Sequence, residues 1–501
     1  MTAAAEVRAG APARLPTRWL ILAVICLAQF VVVLDNTVLN VAIPSLATQL
    51  AASAGDVQWI INAYALVQAG LLLVAGGAAD RYGRRRMLLA GLLLFGLGSV
   101  AAGISQTSGQ LIAARAGMGI GGALLLTTTL AVAVQIFDAA ERPKAIGIWA
   151  AVNALGFAAG PPIGGLILAH FRWGAIFLLN VPVVLFGLIA VRALVPESRT
   201  ARAGRLDVAG ALLSTAGMVA VIYAIIAGGE HGWRSAQVLV PGVAGLLLLG
   251  IFVWWERRVP YPMLEMEFFT NPRFVGAVAG VLLITFGSAG ALFLLTQQLQ
   301  YVRGYSPLEA GLRMLPFALS VVALNFSGLT ARLIHRAGLP AVIAAGMVLL
   351  AAGFAVVAAP SSGYAPLLGG LILMGVGCAL ANPAIAEAVM GAIPPEKAGT
   401  GAGIDGAMAE VGGAVGVAVL GTVLQLRFAA LLPPAAAGAG SFPLALAAVS
   451  SEQERQAVGD AFSAGLAVSQ TAGAVAVLVG GLVTALLLRR AERRRAYVTR
   501  T

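Results

Sequence analysis

Asp35 is the only charged residue between Trp19 and Pro44, and Arg115 the only one between Leu111 and Ile136. A charge inside such an apolar run is costly, and persists where it pairs, holds an ion or exchanges a proton. At about 1.5 Å per residue, Asp35 lies some six residues, roughly 9 Å, from the end of its run at residue 41. Arg115 lies some five residues, roughly 8 Å, into its own. Antiparallel runs would bring the two to matched depth, so the sequence predicts an ion pair. The carboxylate would be its titrating member, because a guanidinium does not deprotonate. Without proton exchange, the same two residues form a permanently charged structural pair. Asp405 and Glu410 share another apolar run. Five residues turn a helix by about 500°, so they stand about 140° apart. Glu410 falls near the middle, where a carboxylate could meet a proton or a cationic molecule. Asp405 is shallower and placed to snorkel or to pair with a nearby cation. Glu387, near the end of its run, reads equally as a gate or an interfacial charge.

The elements that carry these charges are long apolar helices. The 501 residues are 59% hydrophobic and only 11% charged, with 62 glycines, against about 25% charged in a soluble protein. A bilayer-spanning helix needs about 20 apolar residues. The runs between turn and charge clusters give about fourteen spans: 19–41, 57–79, 87–105, 110–136, 144–169, 174–195, 207–228, 236–255, 274–298, 310–333, 339–359, 364–390, 399–426 and 464–488. The net charge of +11 does not indicate a nucleic-acid partner, because its cations sit in connections between apolar runs. Placing the N-terminus in the cytoplasm assigns about 25 Lys and Arg residues to inside segments and about five to outside ones. The positive-inside rule then predicts two cytoplasmic termini.

The spans divide into an all-α polytopic architecture of two six-helix halves with a two-helix insert. The expected divisions are a tail at 1–17, a first half at 18–195, a linker and helical hairpin at 196–258, a second half at 259–489 with an outside loop at 427–463, and a basic tail at 490–501. Such repeats build alternating access around a midplane site. Cys26 and Cys378 lie within spans and offer no disulfide framework or metal motif. His170, His231 and His335 fall at span ends. There is no GxxxxGK[ST] phosphate loop and no spaced metal-ligand cluster, so the sequence predicts neither an enzyme nor a cofactor.

Four motifs narrow the reading. Gly77–Leu88 reads GAADRYGRRRML, a cation-loaded turn between residues 57–76 and 87–104, which carry no charge. Its expected conformational cluster is Gly77, Asp80, Arg81, Gly83, Arg84 and, from the end of span 4, Asp138. An echo without the acid, GLTARLIHRAG, stands at Gly328–Gly338. Leu34–Pro44 reads LDNTVLNVAIP, and Leu111–Ala123 reads LIAARAGMGIGGA. Span 5 holds GFAAGPPIGG at Gly156–Gly165, followed by FRWGAIFLLNVP at Phe171–Pro182. Gly156, Gly160, Gly164 and Gly165 are expected to line one face for close helix packing. Pro161 and Pro162 remove backbone donors and bend the helix.

Together, over essentially the whole chain, these motifs resemble the fourteen-helix drug:proton antiporter branch of the major facilitator superfamily. The resemblance implies a proton-coupled exporter of amphipathic, possibly cationic, small molecules in the cytoplasmic membrane of a bacterium, working as a monomer. It links Asp35 and Arg115 to proton coupling, and the span 5 Gly/Pro run to export. It also implies that the Asp80 cluster stabilises an outward-facing state. Candidates for an apolar cavity with a few polar points are Asn36, Asn40, Trp59, Asn62, Tyr64, Gln68, Asn153, Phe157, Gln297, Asn325 and Asn382, besides Glu387. Each reads equally as an interhelical hydrogen bond or as packing. A dedicated natural-product, metabolite or lipid exporter on the same fold remains an alternative, as does a non-transporting membrane sensor.

Overall fold

The computed structural model describes residues 17–138, 141–199, 206–359, 363–393 and 398–498. Residues 1–16, the linker core 200–205, Lys397 and the last three residues of the basic tail lie outside that set. The first group of helices is α1 (Arg18–Gln49), α2 (Ala54–Tyr82), α3 (Arg84–Ile104), α4 (Ser108–Ile136), α5 (Arg142–His170), α6 (Ala175–Leu178) and α7 (Asn180–Leu194). A hairpin follows, α8 (Val208–His231) and α9 (Ala236–Glu256). The second group is α10 (Pro272–Gln297), α11 (Pro307–Phe326), α12 (Leu329–Ala337), α13 (Leu339–Ala358), α14 (Ala365–Met390), α15 (Ala398–Leu431), α16 (Phe442–Ala448) and α17 (Glu452–Val498). Among the described residues fourteen helical stretches are long and apolar enough to cross a membrane, α6 and α7 counting as one. No strand occurs among those residues. Helices suit a bilayer because they satisfy their own backbone donors and acceptors.

Helix packing repeats between the halves. The pairs α1·α5, α2·α4, α3·α4, α3·α7 and α1·α7 reappear as α10·α15, α11·α14, α13·α14, α13·α17 and α10·α17. The halves meet along two seams, α5·α11 and its counterpart α2·α15. One apolar core lies wholly within the first half, and a second lies mainly within the other. Helix α8 packs on both α2 and α15, over their seam. The Glu230 carboxylate accepts hydrogen bonds from Gly55 N and Ser53 Oγ, each at 3.1 Å, and Thr422 Oγ1 donates to Ile225 O at 3.2 Å. At the base of the hairpin Asp207 Oδ1 caps α8 through Gly210 N and accepts from Trp255 Nε1 at 2.9 Å.

The face at which α1 begins is here the terminal face, and the opposite one the loop face. On the loop face the halves are in contact. Gln300 Nε2 donates to Val41 O at 2.8 Å, and Ala54 N donates to Gly440 O at 2.8 Å. A Cβ on Gly165 would run into the backbone at Pro307 and Leu308, and one on Gly311 into the Pro161 carbonyl. Toward the terminal face the α5·α11 seam opens: a Cβ on Gly147 would meet open space, and Asn325 and Phe326 are exposed.

Several boundaries differ from the sequence reading. Span 10 does not run to 333. It ends at Phe326, Gly328 takes a left-handed φ of +67°, and the echo motif forms the separate helix α12. Its counterpart in the first half is hardly a loop, since Gly83 alone, at φ +109°, separates α2 from α3. Helices α15 and α17 extend into the expected outside loop, leaving 432–451 to hold α16. The four span 5 glycines do not share one face. Gly156, Gly160 and Gly164 abut Phe30–Val33, Thr37 and Val38 of α1, while Gly165 abuts α11. Adjacent residues stand 100° apart on a helix, so Gly164 and Gly165 cannot point the same way.

A Cβ on Gly160 would overlap the Thr37 side chain. Gly160→Leu should therefore force α1 and α5 apart, costing about 1–3 kcal/mol by overpacking. Thermal unfolding of the purified protein checks this, and an unchanged midpoint would disprove the contact.

Candidate functional site

The first half buries a complete charge cluster. Arg115 on α4 donates from Nη1 to Asp35 Oδ2 on α1 at 2.5 Å, and both side chains are 1% exposed. Its Nε donates to Ile60 O at 3.1 Å and its Nη2 to Asn36 Oδ1 at 3.4 Å. The guanidinium lies over the Tyr64 ring, 4.4 Å from its centroid. Asn180 Nδ2 donates to Asp35 Oδ1 at 2.8 Å, and lies 3.2 Å from Ser99 Oγ. Both carboxylate oxygens and all three guanidinium nitrogens thus have a partner. The predicted pair forms, although α1 runs eight residues past the end assumed for it, to Gln49. The long Arg115 side chain bridges the resulting difference in depth.

Asn180 and Ser99 were not among the sequence candidates. Their signal was a lone amide in FLLNVP, just after the break between α6 and α7, and a lone hydroxyl in an otherwise apolar run.

Glu410, on α15 of the second half, lies within Coulombic reach of Arg115 and of Tyr64. It is half-buried and makes no hydrogen bond or ion pair to a described residue. A carboxylate from each half therefore addresses one guanidinium, the first tightly bonded and the second at a distance. Chemically, this arrangement can exchange a proton or a cation against the charge of Arg115. Asp405 is half-buried, while Glu387 is exposed on α14.

Between the halves a narrow cavity, with room for about one water, is lined by Thr37, Asn40, Phe157 and Pro161 on one side and by Leu292, Met314, Phe317 and Ala318 on the other. The Phe157 and Phe317 rings stand 5.8 Å apart. Of the predicted lining residues, Asn40 and Phe157 face this space, and Asn36 joins the Arg115 cluster. The others go elsewhere. Trp59 packs toward the hairpin, 6.2 Å from the Tyr223 ring. Asn62 and Gln68 are buried, Gln68 with its amide against Gly122 of α4. Asn153 accepts from Gln29 at 2.9 Å in a network with Thr129 and Trp149. Gln297 belongs to a second cavity near the loop face, and Asn325 and Asn382 are exposed near the terminal face.

At the α2–α3 junction Arg84 binds Asp80 at 2.7 Å and Gln135 at 2.9 Å. Asp138 does not join them. Its Oδ1 accepts from Glu141 N at 3.0 Å and closes the turn before α5. The carboxylate that does reach the junction is Glu197, which pairs with Arg86 at 3.6 Å and Arg85 at 3.9 Å and accepts from Arg85 N. A side chain on Gly83 would collide with it.

A family model described as Major Facilitator Superfamily matches residues 25–417. The chain belongs to this superfamily. Among its curated relatives, the Multidrug resistance protein Stp of Mycobacterium tuberculosis is 37% identical over 410 residues, covering 81% of this chain and 76% of the relative. The Methyl viologen resistance protein SmvA of Salmonella typhimurium is 36% identical over 420 residues, 82% of this chain and 84% of the relative. A solved bacterial homologue of the human lysosomal transporter Spinster superposes with a TM-score of 0.68 at 17% identity, over 95% of this chain and 98% of that one. The likeness agrees with the major facilitator fold, which this chain builds from fourteen helices as two six-helix halves and an inserted hairpin.

Removing one member of a buried pair strands the other, at a cost of roughly 3–5 kcal/mol. Asp35→Leu should show that loss in thermal unfolding, and Asp35→Asn, which keeps an acceptor oxygen, a smaller one. The double variant Asp35→Leu/Arg115→Met should recover most of it. Additive losses would mean that the two charges are not coupled.

Proposed function

We propose that this major facilitator exports amphipathic small molecules, drugs and dyes among them, in exchange for protons. The observation that carries the reading is the buried Asp35–Arg115 pair, with Glu410 of the other half close enough to feel the charge of Arg115. Relatives named for multidrug and methyl viologen resistance support drug efflux and, in the second case, a cationic substrate. The terminal face is the cytoplasmic one by its arginines, so the cavity between Phe157 and Phe317 is reached from the cytoplasm through the open end of the α5·α11 seam. The moving bodies are the halves 18–195 and 259–489, with 196–258 as the insert, and the monomer is the working unit.

Exchange follows from charge. A carboxylate holds either a proton or a cation, because protonation removes the attraction that the cation needs. With the cytoplasmic side open, proton release leaves Glu410 negative and able to take a cationic substrate. With the outer side open, protonation from outside discharges it. Protonation of Asp35 loosens its bond to Arg115, and Glu410 is the second acid available to stabilise that cation. The Asp80–Arg84 pair and Glu197 bind the ends of α2 and α3 to the chain after α7, and bias the equilibrium between the two states from outside the cavity. Asp405 is a further proton-carrying carboxylate on the same helix as Glu410.

Asp35→Asn should insert normally but lose proton-driven efflux at least ten-fold in proteoliposomes with an imposed pH gradient. A wild-type rate would exclude Asp35 from coupling. Glu410→Gln should lose binding of a cationic dye at least ten-fold while sparing a neutral substrate, measured by fluorescence titration. Equal losses for both would assign Glu410 to protons or folding instead.

A further inference from the structure

The base of the inserted hairpin buries two carboxylates that the charged centre at Asp35 and Arg115 does not use. Asp207 stands immediately before α8 and Glu256 is the last residue of α9, both at the terminal face. They are 7% and 3% exposed. One oxygen of each is well bonded. Asp207 Oδ1 accepts from Gly210 N at 2.8 Å and from Trp255 Nε1 at 2.9 Å, and Glu256 Oε2 accepts from Leu264 N at 3.0 Å. The other two oxygens, Asp207 Oδ2 and Glu256 Oε1, are buried with no hydrogen-bond partner. They crowd one point, since a Cβ on Gly210 would collide with both, and the two side chains lie within hydrogen-bonding reach of each other.

Two ionised carboxylates can only accept, and like charges this close in a buried place do not both persist. Asp207 is the only charged group that acts on Glu256 among the described residues. Arg257 and Arg258, which follow Glu256, are exposed, Arg258 over the Trp254 ring at 4.6 Å. On the neighbouring elements, Asp80 of α2 binds Arg84, Arg81 is exposed beside Tyr82, and Asp405 of α15 and Glu265 after α9 are half-buried. A calcium ion takes about six to eight oxygens, and among the described residues no group of three or more His, Cys, Asp or Glu could hold a metal. A proton needs only the two oxygens present.

We propose that Asp207 and Glu256 share one proton, and that this site makes closure of the hairpin base depend on the pH at the terminal face. Glu256 Oε1 carries the hydrogen and donates to Asp207 Oδ2, because two donors hold the charge of Asp207 and one that of Glu256. The pair stands where the chain passes from one half to the other. Just before it, Leu206 lies against α2, where a Cβ on Gly77 would meet its Cδ2 at 2.8 Å. Just after it, Leu264 and Phe268 belong to the apolar core of the second half. As the pH rises the shared proton passes to water, the two negative charges repel, and the base of α8 and α9 parts. The cover that α8 forms over the α2·α15 seam is then held less firmly.

Hydrogen exchange of the full chain in lipid nanodiscs, read by mass spectrometry and corrected for the intrinsic effect of pH, tests the site without transport. Residues 206–212 and 257–266 should lose protection at least five-fold between pH 6.5 and 8.5, because Gly210 N and Leu264 N bond to the two carboxylates. Asp207→Asn and Glu256→Gln each place a permanent N–H between the side chains. Either should keep the base protected at both pH values, with an unchanged unfolding midpoint at pH 6.5. Infrared difference spectra at pH 6.5 should show a protonated-carboxyl C=O band that each variant removes. Protection independent of pH in wild type, a pH response surviving in either variant, variants open at both pH values, or no such band would overturn the site. So would protection restored at pH 8.5 by calcium or magnesium chloride, which would assign the pair to a metal cation. Dye efflux enters none of these readings, so this site and the exporter reading stand or fall separately.

Discussion

Taking a guanidinium and a carboxylate out of water costs several kcal/mol for each ion, and the cost is offset only when geometry and further hydrogen bonds are nearly complete. The organisation of the first half follows from that requirement. Arg115 can sit at 1% exposure because α1 supplies Asp35 and Asn36, α2 the Ile60 carbonyl and the Tyr64 ring, and α7 the amide that holds the other carboxylate oxygen. Four helices are thereby fixed to one another around a single charge. Any change in that charge is felt by all of them.

The second requirement is close approach. Helices in lipid gain no hydrophobic drive from meeting each other, so their contacts depend on fit and on small residues. Both kinds of interface use them here. Gly156, Gly160 and Gly164 join α1 to α5 inside one half, whereas Gly165 and Gly311 bring α5 and α11 together across the halves. One motif thus serves a contact within a half and a contact between the halves, by addressing different sides of the same helix.

Much of this was legible in the sequence, and the reasons for the rest are physical. Span number, the insert and the Asp35–Arg115 pair follow from hydropathy and from the cost of isolated charges, which are local or nearly local properties. Helix ends were less accessible, because α1, α15 and α17 continue past the apolar runs. The partners of the ion pair were harder still. Asn180 is one amide among many, and only the packing of α7 on α1 and α3 gives it a role. Glu197 took the position expected of Asp138 for the same reason, since the chain after α7 returns to the α2–α3 junction. Trp59, Asn62 and Gln68 have the right chemistry for a cavity, but their helix faces turn them toward α8 or into the first half.

The hairpin has a consequence for molecules dissolved in the lipid. A two-half transporter has two equivalent lateral seams, and pseudo-symmetry would offer both to a solute partitioned into either leaflet. Here α8 lies over the α2·α15 seam and bonds to both of its sides through Glu230 and Ile225. Nothing comparable covers α5·α11 among the described residues. The insert thereby covers one of the two seams between the halves and not the other, and breaks their pseudo-symmetry in the plane of the membrane.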